Sequence, residues 1–193
     1  MNNHRGFTLI EVIVVAGIIA ILAGILVPMI MNQIEESKNA RAASDCKSFS
    51  TAIMSFRKDT SKWPYYMPGD CTQTYLTLQS GVGTDPVNTS GDWQISANDI
   101  ALGLILNLPG VNPPIAQSCY NNKAVTYIPE DKADPWGNKY IINAVNFAID
   151  TNPVWVISAG PNGCLDTTAA SQSLNDVPCV PGQPGDDIGI RIK

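Results

Sequence analysis

The sequence predicts an α+β fold: a long N-terminal helix packed on a small antiparallel sheet, with a long inserted loop and helix region between them. Three observations predict it. An uncharged apolar run at residues 12–31 passes directly into an amphipathic stretch that ends near residue 60. Four short β-branched or aromatic segments, Val125–Ile128, Lys139–Val145, Val154–Ser158 and Ile188–Ile192, come late in the chain. Between the two lies a stretch punctuated by Gly, Pro and Asn, which reads as loop.

The 193 residues leave room for one modest domain and an anchor. The formal net charge is −5, without the clustered Lys and Arg of a nucleic-acid footprint, so nucleic acid is not expected as a main partner. Outside the apolar run the chain is rich in Asn, Asp, Ser, Thr, Gly and Pro.

The run from Val12 to Met31 is long enough, at about 1.5 Å per residue, to cross a bilayer core of about 30 Å. Arg5 on its N-terminal side puts that end on the cytoplasmic face. A secretory signal has a shorter apolar core followed by its small-residue cleavage site. Here the small residue, Gly6, precedes the run, so a cut there leaves the run on the mature chain. Glu11 stands one residue ahead of the run, and a carboxylate at lipid usually has a partner. A cut between Gly6 and Phe7 would create an α-amino group able to neutralise Glu11 of a neighbouring copy. A plain signal anchor with an acidic flank is the blander alternative.

The string RGFTLIEVIVVAGIIAILAGILVP, Arg5 to Pro28, resembles the class III signal of type IV pilins and type II secretion pseudopilins. The resemblance implies the type IV pilin fold, cleavage by a prepilin peptidase after Gly6, N-methylation of Phe7, and a role for Glu11 in subunit docking. It also implies a helix loosened or kinked at Pro28, in line with the hydrogen bond that proline removes.

Beyond Met31 helix formers persist, and apolar residues recur at Cys46, Phe49, Ile53 and Phe56, one face of a helix. Pro64 disfavours a helical Trp63, so the helix should end near Thr60 or Ser61. From Phe7 to Thr60 a continuous helix would measure roughly 80 Å. Residues 65–95 read as loop with one short element. Ser96 to Leu108 reads as a second helix, capped by Ser96 and stopped by Pro109-Gly110. The strands follow, with a turn at Asp134-Pro135-Trp136-Gly137-Asn138. KDTSKWP (58–64) and DPWGNKY (134–140) resemble the major, G-type pseudopilin of type II secretion. There the first ends the long helix and the second opens a hairpin of the sheet.

The five cysteines, Cys46, Cys71, Cys119, Cys164 and Cys179, form no CxxC or Cys/His metal pattern. An anchored head in an oxidising compartment suits disulfides. Cys164 and Cys179 flank a Ser/Asn/Gly/Pro-rich loop and are the first choice for a pair. The odd count leaves a thiol over, for which Cys46 is the candidate.

Oxygen side chains surround glycine turns in the same region: Ser158, Asn162, Asp166, Asp186 and Asp187. Such ligands suit Ca2+, although the spacing is not that of an EF-hand. G-type pseudopilins hold calcium in a related loop with help from backbone carbonyls, and Asn162 stands where that pattern usually has Asp. A solvated loop closed by the disulfide instead of an ion is the competing reading.

An enzyme is not expected. Cleavage after Gly6 would remove His4, the chain's single histidine, and with it Ser-His and Cys-His catalysis. The sequence therefore divides as follows: 1–6 a leader that is removed, 7–31 a transmembrane and filament-core helix, 32–62 its amphipathic continuation, 63–133 a variable loop region with a short helix, and 134–193 the sheet and C-terminal loop. The resemblance implies a structural subunit of a helical pseudopilus in type II protein secretion. A subunit of a surface type IV pilus, serving adhesion, motility or DNA uptake, is the alternative. Its implied partners are further copies of itself, other pseudopilins or minor pilins, the prepilin peptidase and an inner-membrane assembly platform. Its implied place is a single pass through the bacterial inner membrane with the head in the periplasm, then a periplasmic pseudopilus or an extracellular pilus.

Overall fold

In the computed structural model, residues 7–67, 70–88, 92–95, 126–128, 130 and 132–193 are described. The leader, the helix expected at Ser96–Leu108 and Cys119 lie outside the described residues. One helix, α1 (Leu9–Thr60), carries both the apolar run and its polar continuation, with Pro28 inside it. Among the described residues six strands follow: β1 (Tyr66–Met67), β2 (Asp70–Thr74), β3 (Leu78–Gln79), β4 (Ile141–Ile142), β5 (Trp155–Ser158) and β6 (Ile188–Arg191). A 3-10 helix, Ala144–Ala148, joins β4 to β5.

The helix stops for the reasons the sequence supplies. Thr60 Oγ1 donates back to the Phe56 carbonyl at 2.8 Å. Ser61 takes φ +58°, and its amide donates to the Arg57 carbonyl at 2.8 Å, a left-handed cap ahead of Trp63-Pro64. The Arg57 guanidinium lies 3.8 Å from the Trp63 ring centroid.

The chain divides into two compact units, 1–38 and 39–193. In the first, the described helix residues from Leu9 to Lys38 bury no side chain. The apolar stretch is rich enough to cross a membrane by length and composition. In the second, Ala42, Cys46, Phe49, Ala52, Ile53 and Phe56 form the buried face of α1.

That face packs on a four-stranded antiparallel sheet of order β3-β4-β5-β6. The period-two alternation of strands divides the apolar residues between two layers. Tyr140, Ile142, Val154 and Val156 join Phe49, Ile53 and Phe56 in one core. Ile141, Trp155 and Ile157 join Trp93, Ala159 and Leu165 in a second. All four residues of β5 are buried, which is why WVIS lacks the alternation of a half-exposed strand.

Three expected strands are present in shortened form, and the fourth differs. Of Val125–Ile128 the described residues, 126–128, are not strand, and β3 takes the place at the sheet edge. Ile128 is instead a buried core residue, and the Tyr127 ring meets Phe56 edge-on at 5.4 Å. Leu78–Gln79 is too short and too poor in β-branched residues to announce a strand. It becomes one by pairing with Ile141–Ile142.

Among the polar groups buried in the head is Asp45. Asp45 accepts from Lys132 Nζ at 2.7 Å and from the Tyr140 hydroxyl at 3.0 Å, with Arg41 Nε at 3.7 Å. Tyr140→Phe keeps the ring and removes one donor to a buried carboxylate. It is expected to lower stability by about 2 kcal/mol in urea unfolding. No loss would mean that Lys132 alone satisfies Asp45. Nearby, Cys46 is a free, buried thiol that donates to the Ile188 carbonyl at 3.5 Å. Burial pushes its pKa up to about 12.

Candidate functional site

Two sites carry the residues singled out from the sequence. At the start of α1, the Thr8 amide and hydroxyl donate to Glu11 Oε2 at 2.8 and 2.7 Å, and the Glu11 amide approaches Thr8 Oγ1 at 3.4 Å. This is a reciprocal capping box, written in the sequence as Thr8-x-x-Glu11. The reading of Glu11 as a charge at the lipid boundary missed it, although Thr followed three residues later by Glu was signal enough. Phe7 beside it is 89% exposed.

The second site is built where β5 runs out. Ser158-Ala159 leads into a tight turn, Gly160-Pro161-Asn162-Gly163, closed by a bond from the Gly163 amide to the Gly160 carbonyl at 3.3 Å. Gly160 has φ +62°, and a Cβ there would lie 2.3 Å from the Asp186 carbonyl oxygen, so only glycine allows the segment before β6 to come this close. Val87 clamps the far side of the turn: its amide donates to Gly163, and its carbonyl accepts from Leu165, both at 2.9 Å. The chain then loops out and is tied back by the Cys164–Cys179 disulfide, Cα–Cα 6.3 Å.

This geometry brings Asp166, Asp186 and Asp187 together, with carboxylate oxygens within 4.8 Å of one another. Amides hold them in place. Asp166 Oδ1 accepts from the Cys179 amide, and its Oδ2 accepts from the Asp186 amide and Asn162 Nδ2, both at 3.0 Å. Asp187 Oδ2 accepts from the Asp166 amide at 2.9 Å, and Asp186 Oδ2 from the Asn162 amide at 3.1 Å. The other oxygens, Asp186 Oδ1 and Asp187 Oδ1, are buried without a hydrogen-bond partner.

The electrostatics follow. Burial, then the charge of Asp166, pushes Asp187 up to about 7. Burial does the same to Asp186, to about 6, against the Asn162 amide that favours its charged form. Burial also acts to raise Asp166, but the Cys179 and Asp186 amides and Asn162 outweigh it and hold that carboxyl below the usual range. Three carboxylates, two of them with a buried oxygen that no hydrogen bond satisfies, form a compact acidic site.

Of the sequence candidates, Asn162, Asp166, Asp186 and Asp187 converge. Ser158 does not join them: its hydroxyl donates to Asp134 Oδ2 at 2.7 Å and accepts from the Gly160 amide at 3.3 Å. Asp134 in turn accepts from the Trp136 and Asn138 amides and so organises the DPWGN turn ahead of β4. Sequence reasoning missed Asn175, at φ +58°, whose side chain accepts from the Asp187 amide at 2.8 Å and donates to its carbonyl at 3.3 Å. Nothing local marks that partnership except an Asn suited to a left-handed turn.

Removal of the disulfide by Cys164→Ser with Cys179→Ser frees a loop with a sequence separation of 15. A closed loop of that length is expected to contribute about 3 kcal/mol, read as a lower urea midpoint. An unchanged midpoint would assign the loop's order to the hydrogen bonds alone.

Residues 1–27 match the prokaryotic N-terminal methylation motif. The chain is 34% identical over 171 residues to the type II secretion system core protein G of Klebsiella michiganensis, covering 89% of this chain and 85% of that protein. It is 28% identical over 166 residues to core protein G of Escherichia coli K12, covering 86% and 88%. With core protein G of Pseudomonas aeruginosa it shares 36% over 68 residues, 35% of this chain and 48% of that one. No solved structure matches. With a methylation motif at its start and similarity along most of its length, the chain belongs to the type II secretion system core protein G family.

Proposed function

We propose that this chain is the repeating subunit of a helical pseudopilus in type II protein secretion. The observation that carries the reading is its similarity, over 89% of its length, to a protein named for the core of that system. The chain is cut between Gly6 and Phe7, and the exposed apolar stretch of α1 packs against copies of itself, which supplies the burial that one chain lacks. Both Thr8 bonds converge on Glu11 Oε2, so the cap and a neighbour's new amine can share one carboxylate. Before assembly the helix crosses the inner membrane with the head in the periplasm. Further pseudopilins, the prepilin peptidase and an assembly platform are the partners, and the chain performs no catalysis of its own. The experiment is a gene deletion. Secreted proteins are expected to accumulate in the periplasm, with recovery on re-expression. Normal secretion accompanied by loss of surface fibres would favour the type IV pilus reading instead.

The acidic loop takes Ca2+ in this proposal. Asp166, Asp186 and Asp187 would hold it, supported by the two orphaned oxygens, and hard carboxylate oxygens suit that ion. The Asn162 side chain would lie beside it. The cation would neutralise the cluster and fix β6 to β5.

A further inference from the structure

The acidic loop also contains the chain's single Asn-Gly pair, Asn162-Gly163. Asn162 is exposed in the turn, and Gly163 brings no side chain to shield its own backbone nitrogen. The Cys164 amide donates to Asn162 Oδ1 at 2.6 Å. That bond polarises the side-chain carbonyl and would stabilise negative charge forming on its oxygen, as a single-donor oxyanion hole does. Nδ2 is turned the other way, onto Asp166 Oδ2 at 3.0 Å. The Gly163 nitrogen is held only by the long bond to Gly160 at 3.3 Å, which costs little to release.

We propose that Asn162 is a self-modification site, deamidating through Gly163 to place a fourth carboxylate on the acidic loop. The Gly163 nitrogen bonds to Asn162 Cγ, and the Cγ–Nδ2 bond breaks. The Gly163 amide proton passes through water to the leaving nitrogen, which departs as ammonia. A water then opens the five-membered ring. Attack at Cγ, the carbon the Cys164 amide polarises, restores the ordinary backbone with a carboxylate at position 162. Attack at the Asn162 backbone carbonyl gives the isoaspartyl form. One water enters and one ammonia leaves, with no oxidant or reductant.

The consequence rests on the cation reading of the loop. Deamidation replaces the donor Nδ2 by an oxygen beside Asp166 Oδ2, so an attraction becomes a repulsion. A divalent cation reverses the sign, since the new oxygen is one more charged ligand. The modification therefore makes the loop bind a cation more tightly and depend on it more.

The test uses the full-length chain in detergent at neutral pH, with peptide mapping for the roughly one-dalton gain of amide-to-acid exchange. In the folded chain, gain at Asn162 is expected about tenfold faster than at any other asparagine and faster than for Asn162 in urea, because the folded turn holds the Cys164 amide on Asn162 Oδ1. Asn162→Gln, whose ring closure would be six-membered, should show no gain there. A rate in urea equal to or above the folded rate would overturn the proposal. Calcium titration calorimetry compares Asn162→Asp with the unmodified chain, and Asn162→Asp is expected to bind about tenfold more tightly. Equal affinities would overturn the functional half. Mass gain without calcium binding by either protein would sink the cation reading and leave the modification standing.

Discussion

With Val in place of Gly6, the chain is expected to accumulate uncut, and N-terminal sequencing should read Met1 where the wild type reads Phe7. Glycine is the one residue that lets a backbone approach a catalytic surface without a Cβ, and β-branched valine is stiff and crowds that approach. The wild-type amine should carry a methyl group, visible by intact mass. A wild-type chain that keeps Met1–Gly6 or lacks residues 12–31 would remove the basis for assembly through α1.

Glu11 separates two effects that the capping box joins. Glu11→Ala should be cut normally and then fail to form fibres. It loses both the cap on Thr8 and the charge for a neighbour's amine. Glu11→Gln keeps a side chain that can cap, since Gln serves at that position, but carries no charge. If charge pairing is what matters, Glu11→Gln should fail nearly as completely as Glu11→Ala in fibre counts by electron microscopy. Normal fibre numbers for Glu11→Gln would assign Glu11 to the cap alone.

The second large effect is that of calcium on the head. The full chain in detergent should melt at a higher temperature in calcium than in chelator. Binding to the folded state alone stabilises it by about 2.7 kcal/mol at a hundredfold excess over the dissociation constant. Asp187→Ala should erase the difference, because Asp187 supplies a buried, unpartnered oxygen. Asn162→Ala should diminish it only in part, since a neutral ligand contributes less to a hard cation. Equal melting temperatures in both buffers would leave the loop to its disulfide and amides.

The pH dependence has a definite sign. Asp186 and Asp187 have folded pKa values near 6 and 7, above the ordinary carboxylate value of the unfolded chain. The folded state therefore binds more protons between about pH 4 and pH 7. Their contribution to stability is fully present below the unfolded value and is lost as pH rises through 6 and 7. In chelator the head should weaken over that window. If the loop takes calcium as proposed, the same carboxylates would become ligands as they ionise, so the calcium effect should be small near pH 5 and largest above pH 7. A calcium effect independent of pH would place the ion elsewhere.

Much of this protein is decided locally, and so was legible in the sequence. The apolar run 12–31 and the spacing of Cys46, Phe49, Ile53 and Phe56 fix a helix and its buried face, because side-chain period and burial are properties of the segment itself. Its end at Thr60 follows from the steric effect of Pro64 on Trp63. Cys164 and Cys179 were legible as a pair, and Cys46 as a free thiol, from the loop that the pair borders and the odd count. Only the tertiary structure decided that Leu78–Gln79 is a strand, since two residues acquire that state from the partners they pair with. It alone sank Tyr127 and Ile128 into packing, and set Trp93 and Leu165 as a second layer over β5. It also divided the oxygen ligands. Ser158, close to Asn162 in sequence, is drawn to Asp134, while Asp186 and Asp187 come back to Asp166 across the disulfide loop. Residue type and spacing specify which groups can bind a cation. Which oxygens remain unsatisfied depends on hydrogen bonds from distant segments, and those exist only once the chain has folded.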